Sequence, residues 1–128
     1  MKVIQELIAY FDRRGKLTPD DLEKLLRQGF LASEAPGNMT GLCDQVGQTY
    51  YFRVDGQDSG SVWGTDIYTG DSALAAAAVH AGAVGLGETK VIKVTVVEPL
   101  PHYQGSSRNG IHSHEFGPYK TAYRIDPL

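Results

Sequence analysis

Four histidines are the side chains of this 128-residue chain best suited to acid–base or metal chemistry near neutral pH. His112 and His114 stand two apart, which on a strand sets both rings on one face, and His102 lies just upstream. With Glu115 they could hold a zinc ion, so a small metal-dependent hydrolase is one reading. The simpler account is structural or solvated imidazoles, because no cysteine–histidine framework accompanies them. His80 is different, lying in an otherwise apolar run over residues 73–81. A buried imidazole there needs hydrogen-bond partners and can tie its helix to a surrounding turn. Ser106 and Ser107 follow Gly105 without a G-x-S-x-G elbow, and read as turn residues. GAVGLGE lacks the Lys-Ser/Thr of a phosphate loop. DGQDSG lacks the ligand spacing and closing glutamate of a calcium loop. No catalytic residue, metal or cofactor is expected, and the chain reads as a non-enzyme.

Binding chemistry is better represented. Trp63, Tyr68 and Tyr103 offer aromatic faces that stack on sugar rings or apolar side chains. Arg108 offers paired donors for a carboxylate or sulfate, and Asp66 and His112 complete the candidate set. The competing expectation is that Trp63 and Tyr68 simply cover the ends of a central helix.

The element that must position these groups is residues 62–82, VWGTDIYTGDSALAAAAVHAG. Asp71 and Ser72 are helix-starting residues and Gly82 a natural stop, giving a helix of about ten residues. It is apolar on nearly all sides and too short to span a membrane, so it belongs inside a protein with strands around it. Strands are expected over residues 46–54, 90–97 and 119–125, where apolar and polar positions alternate. Asn109-Gly110 suits a tight turn with positive backbone angles. Residues 1–31 read as a helical hairpin: Ile4, Leu7, Ile8 and Phe11 stripe the first helix, and Thr18-Pro19 opens a second carrying Leu22, Leu25 and Leu26. Residues 32–40 have the composition of a linker, and the main domain is expected over 41–128.

A net charge of −3 argues against a nucleic-acid partner, which selects for a basic face. Twelve Lys and Arg against fifteen Asp and Glu leave no surplus for an anionic membrane, and no membrane insertion is expected. A single cysteine, Cys43, excludes a disulfide within the chain and reads as a small buried side chain. The first residues lack the unbroken apolar run of a cleaved secretory signal. A cytoplasmic protein, or one exported without such a signal, is expected.

SVWGTDIYTGDSALAAAAVHAG followed by YQGSSRNGIHS resembles the LCCL domain over roughly residues 41–125. The resemblance implies an α+β fold with a central buried helix wrapped by twisted strands, and a binding or adhesion module rather than an enzyme. It implies a polysaccharide, lipopolysaccharide or protein partner. It places His80, Asn109 and Gly110 in structural motif positions. Animal members carry four cysteines, one of them where this chain has Ala75, so the resemblance is to a cysteine-poor, bacterial-like variant. The hairpin is then an added interaction element, through which the chain could pair with a second copy or join a larger complex as a scaffold subunit.

Overall fold

The clearest alternation in the sequence becomes the spine of the structure. The computed structural model describes residues 32–128, and in it the strand β5 (Thr89–Val97) buries Ile92, Val94 and Val96 on one face. The hairpin and helical stripe expected over residues 1–31 lie outside the described residues. Numbered along the chain, β5 is joined by β1 (Ser33–Glu34), β2 (Thr49–Asp55), β3 (Gly64–Thr65), β4 (Ile67–Thr69) and β8 (Ala122–Pro127). They form one sheet in the order β1-β2-β5-β8-β4-β3, antiparallel except for the β1–β2 pair. In β2, Phe52 and Val54 face the core, and in β8 Tyr123 and Ile125 do the same, as period-2 alternation requires. A separate two-stranded hairpin pairs β6 (Ser107–Arg108) with β7 (Ile111–His112).

One helix, α1 (Leu74–His80), packs into this core. Six of its seven residues are buried, and its alanines are small enough to let neighbouring backbone approach. The mixed sheet with one short helix is an α+β domain. The helix is shorter than expected because Ser72 does not cap it. Its N-cap position is Ala73, without a side-chain cap, and the Ser72 hydroxyl is drawn to the backbone of Trp63 instead. The other end follows the expectation. Gly82 takes φ +82°, and the bonds Gly82 N–H to Val79 O and Ala83 N–H to Ala78 O close the helix in a Schellman motif.

Residues 32–40 are not a free linker. Ser33 and Glu34 pair with Phe52 and Arg53, the Arg53 guanidinium bonds the Glu34 carboxylate at 2.8 Å, and Met39 is completely buried. A loop-like composition records turns, whereas Met39 is one apolar residue that the core recruits. No helix among the described residues is long and apolar enough to cross a membrane.

Candidate binding site

Three local devices position the side chains around the β6–β7 hairpin. The first is a hydrogen-bond clamp on Trp63. Its amide donates to Ser72 Oγ at 3.0 Å, and that hydroxyl reaches the Trp63 carbonyl at 3.3 Å. Thr69 Oγ1 meets Ser72 Oγ at 2.8 Å, and the Tyr123 hydroxyl donates to the Ser72 carbonyl at 3.1 Å. The second is the Asn109-Gly110 turn, with φ of 55° and 84°, which the preceding strand enters and the next leaves in register. The Asn109 amide donates to the His80 carbonyl, pinning the turn to the end of α1.

The third device is a buried polar chain centred on His80, and its proton directions can be assigned. His80 Nε2 lies 3.2 Å from the Ser106 carbonyl, which can only accept, so Nε2 carries hydrogen. Burial lowers the imidazole pKa, so the ring is neutral and Nδ1 must accept. The donor is the Tyr68 hydroxyl at 2.9 Å, whose own pKa burial raises to about 12. On the far side, Thr65 Oγ1 donates to the Gln104 carbonyl at 2.9 Å, so in its 2.5 Å contact with Ser106 Oγ the serine is the donor. The Ser106 proton therefore points at Thr65 and not at His80, although Ser106 Oγ and His80 Nε2 are 3.2 Å apart. In this tautomer Nε2 has no lone pair with which to activate the serine. The Ser106–His80–Tyr68 row is a structural tie between α1 and the β6–β7 hairpin.

The sequence-derived site residues are split by depth. Tyr68 and Tyr103 are both fully buried, so neither offers a face to a ligand. Tyr68 serves His80, and the Tyr103 hydroxyl accepts from the Leu100 amide at 3.0 Å. A tyrosine whose hydroxyl finds partners inside is a core residue, and sequence alone does not reveal those partners. Asp66 and Arg108 are exposed and paired at 2.7 Å through one guanidinium nitrogen, a bond that links the β3–β4 turn to the hairpin. Trp63 is half-buried and His112 exposed.

What remains at the surface is an aromatic strip. Trp63 and His114 form a parallel bridge, with His114 N–H to Val62 O at 2.7 Å and Gly64 N–H to His114 O at 3.1 Å. Their ring centroids lie 6.3 Å apart. Phe116 is held by paired backbone bonds to Tyr103 and approaches Trp63 at 6.5 Å and Tyr119 at 5.9 Å, both edge-on. His112 and His114 meet edge to face at 5.3 Å. Phe116 is 42% exposed, among the most exposed large apolar side chains described. Burial and the nearby Asp71 carboxylate raise the Tyr119 pKa. Phe116 was not among the residues singled out from sequence. Ile111 and Ser113 alternate as buried positions with exposed His112 and His114, but Glu115 and Phe116 are both exposed, so the alternation ends before Phe116.

The histidines do not assemble a metal site. His102 sits 3.9 Å from Glu115 rather than with the His112–His114 pair, and His112 Nδ1 is engaged by Ser107 Oγ at 2.9 Å. Among the described residues no three His, Cys, Asp or Glu side chains are grouped to hold a metal ion. Cys43, half-buried, is a free thiol whose pKa is raised by burial and by Asp44.

Comparison with known proteins agrees with the fold. A family model described as the LCCL domain matches residues 38–123, two thirds of the chain. The chain is also similar to the transcriptional regulatory protein rxt3 of Schizosaccharomyces pombe, 38% identical over 56 residues. That match covers 41% of this chain and 16% of the relative, so the chain accounts for only a small part of that protein's length.

Proposed function

The chain belongs to the LCCL domain family, and from that premise we propose that it is a non-enzymatic module that binds a protein partner through the strip of Trp63, His114, Phe116 and Tyr119. The observation that carries this reading is the exposure of Phe116 at 42% while its backbone is held by a pair of bonds to buried Tyr103. An apolar ring exposed on a pinned backbone is poor for solubility and good for recognition, because the segment that carries it is already ordered when a partner covers it. The Ser72 clamp holds the backbone of Trp63 beside it. The neutral, fully engaged His80 and the spent Ser106 proton support a binding role over hydrolysis.

A protein partner is favoured over a polysaccharide because a relative is named as a transcriptional regulatory protein, a role better served by protein contacts than by glycan binding. On this reading the domain is the docking piece of a larger complex inside the cell, and residues 1–31 supply a second contact. The polysaccharide alternative uses the same rings, since aromatic faces also stack on sugars. Peptide and oligosaccharide arrays probed with the labelled full chain separate the two. Phe116→Ser and Trp63→Ala should each abolish the signal while circular dichroism stays unchanged. Binding that survives both substitutions would refute the assignment of this face.

A further inference from the structure

The turn between β6 and β7 carries a covalent chemistry of its own. Asparagine followed by glycine readily loses its side-chain amide, because glycine places no side chain beside the backbone nitrogen that attacks it. Asn109 and Gly110 are that pair, and both are exposed to water. A Cβ on Gly110 would meet only Leu86 Cδ1, at 3.7 Å, and the Gly110 amide makes no hydrogen bond among the described residues. The attacking nitrogen is therefore open and uncommitted. Restraint falls on the group that must leave. Asn109 Nδ2 donates to the His80 carbonyl at 3.1 Å, at the end of α1. The backbone adds a second restraint, since Asn109 holds φ 55° in a two-residue turn and the cyclic imide requires a different ψ. Ring closure thus requires the turn to open and the Asn109 amide to leave His80.

We propose that Asn109 is a site of spontaneous deamidation, and that its bond to the His80 carbonyl is a latch that cannot close again after the reaction. The Gly110 backbone nitrogen attacks Asn109 Cγ, an N–C bond forms, and the Cγ–Nδ2 bond breaks. Nδ2 leaves as ammonia with the proton that the Gly110 nitrogen gives up. One water then opens the cyclic imide at either carbonyl, leaving aspartate or isoaspartate. Nothing is oxidised or reduced, and water is the only co-reactant. Neither product can restore the latch, because an ionised carboxylate only accepts and would face a carbonyl that also only accepts. The carbonyl end of a helix repels that charge as well. Isoaspartate also adds a methylene to the main chain, between the paired residues Arg108 and Ile111. The bonds Arg108–Asp66 and His80–Ser106 remain, so the hairpin loosens at its turn without leaving the domain. The site stands on the latch geometry and does not depend on what the aromatic strip binds.

The test incubates the full chain at mildly alkaline pH, folded in one sample and unfolded in urea in another. Peptide mapping by mass spectrometry follows the amide of Asn109, and enzymatic methylation reports isoaspartate. Asn38, which precedes the bulky Met39, is the control within the same chain. Asn109 should convert well ahead of Asn38 in the unfolded sample. In the folded sample it should convert about tenfold more slowly than in urea, because the latch and the turn must open first. Asn109→Asp makes one product directly. Its Arg108 and Ile111 amides should exchange hydrogen about fivefold faster than in the parent, the effect of one lost hydrogen bond. Equal conversion of Asn109 in the folded and unfolded samples would overturn the latch. Conversion no faster than that of Asn38 in urea would overturn the site itself. Unchanged exchange in Asn109→Asp would show that the product closes the turn as well as the amide does, and would overturn the one-way release.

Discussion

Replacing Tyr68 by Phe tests the buried chain that ties α1 to the β6–β7 hairpin. The ring is fully buried and packs on His80 at 5.6 Å and on Tyr123 at 5.9 Å, and phenylalanine keeps both contacts. The perturbation is thus one hydroxyl, the donor to His80 Nδ1 at 2.9 Å. Its loss leaves a buried acceptor unpaired, which costs about 1–3 kcal/mol. For a domain of this size that lowers the melting temperature by on the order of 5–15 °C. Urea unfolding followed by the fluorescence of half-buried Trp63 measures the loss directly. A second readout is independent of stability. Without the Tyr68 hydroxyl a proton on His80 Nδ1 would meet no acceptor in a buried site, so the imidazole pKa should fall further below its ordinary value of 6.5. Nitrogen chemical shifts of the ring should still report hydrogen on Nε2 in the neutral form, because the Ser106 carbonyl remains its acceptor. A variant as stable as the parent, with an unmoved His80 titration, would refute the assigned proton directions and the role of the tie.

His80 also predicts a pH dependence. Its folded pKa lies below the ordinary 6.5, chiefly through burial, with Arg108 and His112 adding to the depression and the Ser106 carbonyl and Asp66 opposing it. The unfolded chain therefore takes up a proton first as pH falls, so stability is full above 6.5 and declines below it until the folded imidazole titrates. The slope this group contributes approaches about 1.4 kcal/mol per pH unit in that window and should vanish in His80→Gln. Gly56→Ala should be severe, costing on the order of 3 kcal/mol, because an added Cβ would lie 2.0 Å from the Gly85 carbonyl oxygen, backbone against backbone. Gly117→Ala, with nothing within 4 Å, is its control and should melt within about 1–2 °C of the parent. Ala77→Leu should lower stability by about 1–3 kcal/mol in chemical denaturation, since the helix is buried at that position. Reducing agent should leave the melting temperature unchanged, because Cys43 has no partner within the chain.

Local signals were legible where local physics decides. The alternation of residues 90–97 marks β5, the Asn109-Gly110 pair marks a turn that needs positive angles, and Gly82 marks the helix stop. The helix start was not legible, because Asp71-Ser72 has the chemistry of a cap and a distant backbone claims it. The Trp63 amide, nine residues away, takes the Ser72 hydroxyl. The same limit applies to the aromatic residues. Tyr68, Tyr103 and Trp63 look equivalent as side chains, and only the fold decides that two find hydroxyl partners inside while the third reaches the surface. Phe116 carried no such signal, because the alternation of buried Ile111 and Ser113 ends at exposed Glu115 and the following Gly117-Pro118 reads as loop.

The small-residue helix and the aromatic face are connected by more than proximity. Alanines at positions 76–78 let the sheet and the hairpin close over α1, and that closeness brings the His80 ring within reach of Ser106 in the opposite segment. Ser106 in turn receives Ser113 at its carbonyl, through the Ser113 amide at 2.7 Å and hydroxyl at 3.1 Å. That doubled bond fixes the strand path from which His112, His114 and Phe116 project. A larger side chain on α1 would push on His80 first and on the face through it. Substitutions at Ala77 that retain a folded core should therefore weaken peptide binding out of proportion to their distance from Phe116. A stable Ala77 variant with undiminished binding would show that the strip is positioned by its own backbone bonds alone.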